Sequence, residues 1–305
     1  MGASSRKALT LVASLAWGSW TCPAPAQEPS TAPAHGAEVI LLGTGYPRPD
    51  PERFGPATAV VVNGRVFLVD AGRGVVLRWA ATGLPLDSLR AVFLTHLHSD
   101  HTSGLPDLFS TSWIFGRYEP LRLYGPPGTR EIADAMVAFF AVDIRVRRDL
   151  TEKHPGAGAT VDAHIVGEGV AYEDADVRVT AFRVDHSPVE HAFGYRFDAG
   201  GRAIVISGDT RPSANLVKHA NGADVLVHEA YLAEHFDRVD TPQVAARLKA
   251  YHTSAEEAGQ VAQAAGVRLL VLTHLIPGGA DQTFVERASR FFKGRIVVGR
   301  DLMRF

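Results

Sequence analysis

The segment His96-Leu97-His98-Ser99-Asp100-His101 places four metal-capable side chains within six residues. Zinc favours imidazole nitrogens and carboxylate oxygens, and a loop at a strand end can converge them. His96 and His98 alternate around Leu97, which leaves both imidazoles on one side of an extended backbone. Asp100 and His101 can then curl round to a second ion. Further residues of the same kind follow singly: His186 and His191 in Val184-Asp185-His186-Ser187-Pro188-Val189-Glu190-His191, Asp209 in Ser207-Gly208-Asp209-Thr210, and His274 in Leu272-Thr273-His274. His186, Asp209 and His274 each follow an apolar run, whereas His191 opens the next one. Asp70, His228, Glu229 and His252 are further titratable residues set close to apolar runs.

The elements that must position these residues alternate between strands and helices, the pattern of an α/β domain. Val39 to Leu42 predicts a strand ending in Gly43-Thr44-Gly45. Ala57 to Val62 and Arg65 to Asp70 flank Asn63-Gly64, a strong hairpin signal. A helix is expected from Gly72 to Thr82 and a buried strand from Ala91 to Thr95, directly before His96. The second half repeats the theme: a hairpin around Gly200-Gly201, a helix from Ser213 to Ala220, and a strand from Asp224 to Val227. Ser254 and Glu257 form a capping box for a helix to Ala265. A strand over Val267 to Thr273, a helix over Phe284 to Phe292 and a strand over Ile296 to Val298 complete the series. Two similar β-rich halves with outer helices predict an αββα four-layer sandwich over residues 38–305. Residues 145–176, poor in apolar runs, are expected to be loop or a variable insert.

His-x-His-x-Asp-His after an apolar strand resembles the hallmark of metallo-β-lactamase-fold hydrolases. Leu42-Gly43-Thr44-Gly45, Val69-Asp70-Ala71-Gly72 and Ser207-Gly208-Asp209-Thr210 look like the ribonuclease Z and arylsulfatase-like branch. The resemblance implies two Zn²⁺ per chain, with Mn²⁺ or Fe²⁺ as ions the same donors could take. One ion would sit on His96, His98, His186 and Asp209, the other on Asp100, His101, His274 and Asp209. His186 is preferred to His191 because it follows its strand as the other ligands do. Asp70, His191 and His228 are expected beside the ligands rather than on the metal. His252 resembles the branch's proton donor, with Glu229 orienting it and holding its imidazole charged. A hydroxide shared by the ions, with Asp100 and Asp209 as counter-charges, would be the nucleophile.

At its start the chain carries Arg6 and Lys7, an apolar run from Ala8 to Trp20, and Ala24-Pro25-Ala26. Charge, a run too short for a membrane span, and an A-x-A site in that order predict a secretory signal over residues 1–26. A flexible lead-in over 27–37 follows, and the expected location is periplasmic or secreted. The mature chain would have 29 basic and 33 acidic residues, a formal −4, and would lose Cys22, the sole cysteine. Lipidation of Cys22 is disfavoured by Trp20 and Thr21 before it.

These features favour a hydrolase of small anionic esters, a phosphodiester or an aryl sulfate, with Trp113, Phe115 and Tyr231 as candidate pocket residues and Tyr118 and Phe236 beside them. A homodimer is left open. A ribonuclease Z-like tRNA 3′-processing enzyme is the alternative, and nucleic acid is the disfavoured partner for three reasons. Gly208 follows Gly194 by only 14 positions, where many such enzymes insert a tRNA-binding arm. The net charge is acidic, and the signal leads away from tRNA. A β-lactamase lacks a bridging carboxylate at Asp209, and a glyoxalase-II-like thioesterase needs a C-terminal domain for which no room remains. A non-catalytic, zinc-binding exported protein is the third reading.

Overall fold

The computed structural model describes residues 36–239 and 241–305. The expected signal segment, Cys22 and nearly all of the lead-in lie outside the described residues. Thirteen strands form two sheets among those described. The first orders β1 (Ala37–Gly43), β2 (Ala57–Val62), β3 (Arg65–Val69), β4 (Leu89–Phe93), β5 (Leu121–Gly125) and β6 (Val161–Ile165) side by side. The second runs from β7 (Gly169–Glu173) through β8 (Val177–Arg183), β9 (Phe193–Ala199), β10 (Arg202–Ile206), β11 (Val225–Tyr231) and β12 (Leu269–Ile276) to β13 (Arg295–Val298). In each sheet antiparallel pairing gives way to parallel pairing, at β3–β4 in the first and β10–β11 in the second.

Strand residues alternate between faces, and the alternation builds the layers. Val39, Phe67, Val69 and Phe93 of the first sheet meet Tyr195, Phe197, Val225 and Val271 of the second in a shared inner core. The intervening residues Ile40, Leu68 and Val92 face outward onto Trp79, Phe109 and Trp113 of the covering helices. Leu226 and Leu270 likewise meet Leu216, Ala262 and Phe284. The result is the αββα four-layer sandwich.

Two expectations about the elements change. Residues 145–176 are not merely loop, since they supply β6 and β7, one edge strand to each sheet. Edge strands are short and half solvated, so they carry little apolar pattern. The strands β11 and β12 run past their apolar runs, so His228, Glu229 and His274 lie inside strands rather than after them. No helix among the described residues is long and apolar enough to cross a membrane.

Position within β11 also reassigns His228. It shares the face of Leu226 and Ala230, the helix-covered side, and does not adjoin the metal-capable cluster. Its Nδ1 donates to the Glu229 carbonyl at 2.8 Å, while Nε2 is buried with no partner among the described residues. Burial pushes the imidazole down to about 4. The unfolded chain therefore takes this proton first, and stability present above about pH 6.5 is lost as pH falls towards about 4, by roughly 3 kcal/mol. His228→Leu is expected to shrink the drop in urea midpoint between pH 7 and pH 4.5. A variant as acid-sensitive as the parent contradicts this account.

Candidate metal centre

The chain leaves β4 through Leu94, whose N–H is held by the Tyr124 carbonyl at 2.7 Å. Leu97 then packs into the outer layer, which turns His96 and His98 the other way. A four-residue helix, Ser99–Thr102, carries Asp100 and His101 inward. From the second sheet, Asp209 arrives after Gly208, which has φ +61° and sits where a Cβ would meet Thr95 Cβ at 2.8 Å. His274 occupies a bulge in β12: Thr273 pairs with Glu229 and Leu275 with Ala230, leaving His274 as the extra residue at φ +47°. Bulges of this kind re-aim a side chain out of the pleat.

These elements bring donor atoms of His96, His98, His186 and Asp209 within 4.8 Å of one another, and those of Asp100, His101 and His274 likewise. Asp209 faces both groups, with Oδ1 3.4 Å from His101 Nε2 and Oδ2 3.9 Å from His96 Nε2. The other imidazole nitrogens are held from behind. Asp70 accepts from His101 Nδ1 at 2.8 Å, and the Tyr251 carbonyl accepts from His186 Nδ1 at 2.9 Å. Thr95 Oγ1 spends its own proton on Asp70 and so accepts from His96 Nδ1 at 3.0 Å. In a neutral ring each arrangement leaves an Nε2 lone pair facing the donor set, the pattern that supports metal-binding histidines. His101 Nε2, which faces Asp100 and Asp209, is buried without a hydrogen-bond partner among the described residues, as a nitrogen suited to an ion would be. The donor set therefore fits a pair of zinc-like ions.

Charges of the side chains agree. Burial works against ionised Asp209, but His274 and His101 hold its carboxyl well below the usual range. Burial likewise works against a charged His101, yet Asp209 and Asp70 hold it well above the ordinary imidazole value. His96 is pushed well down by burial and the neighbouring His101 charge. Loading an ion must therefore displace the His101 proton.

Asp70 contacts support more than one element, since Oδ1 also accepts from the Thr95 N–H at 2.8 Å. Asp70→Asn would set an amide NH₂ against one of these donors. It is expected to weaken zinc affinity by about 10–100-fold in chelator competition, without changing the far-UV spectrum.

Several expected residues fall elsewhere. His191 touches Arg183 at 3.5 Å and Glu190 at 3.8 Å and does not reach the donor set, whereas His186 does. Trp113 is fully buried in the outer layer with its Nε1 donating to the Pro155 carbonyl, and Phe115 is exposed at the end of that helix. Tyr118 packs on His154. The helix after the motif turns its aromatic residues onto the sheet, away from the site. A cavity of about 540 Å³ instead opens over Asp100, Asp209, His252 and His274, with Tyr46, Phe236, Leu248, Tyr251 and Ile276 as its apolar wall. Tyr231 lies behind that wall, against Phe236 at 5.1 Å between ring centroids. Thr95, Tyr251 and Tyr46 carry no motif signal.

His252 and Glu229 do meet, Nδ1 to Oε2 at 2.8 Å. The expected charged imidazolium is not favoured by the side chains alone: burial holds His252 below its usual value and Glu229 well above its own. Glu229, buried with Asp209 nearby, is a poor home for a second negative charge, so the pair shares one proton and fixes the ring's orientation.

Residues 65–275 match the family described as the beta-lactamase superfamily domain. The chain is 43% identical over 276 residues to the Ribonuclease Z of Mycobacterium sp. (strain KMS), covering 88% of this chain and 95% of that protein. It is 40% identical to the Ribonuclease Z of Mycobacterium bovis (strain BCG / Pasteur 1173P2), covering 88% and 97%. In fold it is similar to the metallo-beta-lactamase fold protein YhfI from Bacillus subtilis, with a TM-score of 0.69, 20% identity and coverage of 88% and 98%. The short form of human tRNase Z superposes with a TM-score of 0.64 at 24% identity, covering 88% and 98%. The sequence relatives overturn the expectation of a hydrolase of small aryl sulfate or phosphate esters, and with it the exclusion of nucleic acid. The missing arm was a poor discriminator, because relatives named Ribonuclease Z are spanned over 95–97% of their length by a chain that lacks it. The chain belongs to the metallo-β-lactamase-fold hydrolases, in their ribonuclease Z branch, and is a metal-dependent hydrolase of ester bonds.

Proposed function

We propose that this protein hydrolyses phosphodiester bonds in RNA as a ribonuclease Z, with 3′-extended tRNA as its substrate class. The observation that carries this reading is the 43% identity to a Ribonuclease Z along 95% of that relative's length. In this reading His96, His98, His186 and Asp209 hold one zinc ion, and Asp100, His101, His274 and Asp209 the other. When bound, the ions supply Lewis acidity and acidify water near neutral pH.

The chain's own residues do the rest. Asp100 and Asp209 keep their negative charge because His274 and His101 stand against them, despite burial. Glu229 grips His252 at Nδ1 and leaves Nε2 to the cavity, where it can pass a proton to the leaving oxygen. Glu229 is itself fixed by the Thr210 N–H. Residues 1–26 are proposed as an export signal, so that the enzyme would meet RNA outside the cytoplasm. N-terminal sequencing of the fractionated protein tests that separately, with Gln27 expected first.

Incubation of zinc-loaded protein with a 3′-extended tRNA tests the activity. Cleavage near the 3′ end of the mature tRNA is expected. An intact precursor after prolonged incubation with fully loaded protein contradicts the assignment.

A further inference from the structure

The cavity over the donor set has a wall that metal chemistry does not require. Tyr46 and Pro47 come from the loop after β1, Phe236, Leu248 and Tyr251 from the helices Ala233–Val239 and Pro242–Tyr251, and Ile276 from the end of β12. Its 540 Å³ lies within the roughly 300–1,000 Å³ of pockets that take small organic groups. At its mouth stands Arg48, exposed and without a hydrogen bond or ion pair among the described residues. Two nearby arginines are committed: Arg53 to Asp281, Thr44 and the Gly299 carbonyl, and Arg78 to Asp301. Asp301 also accepts from the Thr44 N–H at 3.0 Å and the Phe54 N–H at 2.8 Å. Both ends of the 44–54 loop are thereby pinned, and Tyr46 and Arg48 are presented to the cavity before any ligand arrives.

Resting on the RNA-hydrolase reading, we propose that this cavity is a nucleotide slot: one base beside the scissile phosphate lies on the half-buried rings of Tyr46 and Tyr251, and Arg48 takes an adjacent phosphate. Flat aromatic surfaces accept any base because every base has a π-face, and an unpaired guanidinium matches a phosphate. The slot also explains how an acidic protein can hold a polyanion. Net charge is an average over the surface, whereas Arg48 and the ions act at the point of contact.

The test uses RNA substrates with a single abasic residue on either side of the cleaved bond. With the zinc-loaded parent, removal of the base on one side is expected to lower kcat/KM by roughly 5- to 150-fold, the size of one base–aromatic stack. Tyr46→Leu is expected to slow intact RNA but to add little further loss on that abasic RNA. Arg48→Ala is expected to raise KM for RNA and to flatten the log–log salt dependence by about 0.7. Arg268→Ala, on an arginine paired with Asp224, should keep the parent's slope. Equal cleavage of intact and both abasic RNAs, or an unchanged slope for Arg48→Ala, overturns the slot while leaving the RNA activity standing. A parent that cleaves no RNA overturns the RNA reading itself, and the slot with it.

Discussion

Asp209→Asn is expected to reduce zinc loading from two ions to at most one and to lower turnover by on the order of 10³-fold. Among the described residues, Asp209 faces both donor groups, with His101 on Oδ1 and His96, His186 and His274 on Oδ2 at 3.3–3.9 Å. Asp100 reaches only His101 and His274, at 3.6 and 3.4 Å. Asn keeps the size of the side chain but removes its charge and replaces one ligating oxygen with an NH₂ that cannot bind a cation. The native carboxyl is held well below its usual range, so its charge persists down into acid, and metal loss by the parent should begin with protonation of the histidines instead. Metal analysis after desalting reads the stoichiometry. Retention of two ions with turnover within tenfold of the parent contradicts the shared-ligand role.

The second large effect concerns His252. His252→Ala is expected to cost about 10²–10⁴-fold on RNA, whose leaving alkoxide needs a proton, and much less on a nitrophenyl phosphodiester. The side chain lines the cavity and is held by Glu229 at 2.8 Å, so its loss removes a positioned donor without removing any member of either ligand group. Both metals should remain. Glu229→Gln should show the same leaving-group dependence to a smaller degree, because the amide can still orient the ring but cannot share the proton. A uniform loss across leaving groups assigns His252 to substrate positioning, and loss of metal makes it a ligand.

The parts of the fold that were legible in the chain are those with a local cause. Asn63-Gly64 and Gly200-Gly201 specify tight hairpins, and both hairpins form between the strands expected. Ser254 and Glu257 form their capping box. The six-residue motif positions its own side chains because Leu97 is drawn into the outer core. What depends on distant partners was hidden. The bulge at His274 exists only in register against β11, and β11 itself hides polar His228 and Glu229 within a buried strand. The cavity wall draws on residues from Tyr46 to Ile276, which no local pattern unites. Phe236 and Ala245 of its helices join Tyr231 of β11 and Ile276 of β12 in a small core, too few residues to mark a periodic stripe. Net charge misled the functional expectation because it averages over the whole surface, and the short segment from Gly194 to Gly208 does not set this chain apart from relatives named Ribonuclease Z.

The most direct test adds zinc stepwise to chelator-treated protein and measures the cleavage rate of a 3′-extended tRNA at each step. The account predicts no cleavage without zinc and a rate that reaches its plateau at two ions per chain. Full activity at one ion, or none at two, contradicts it.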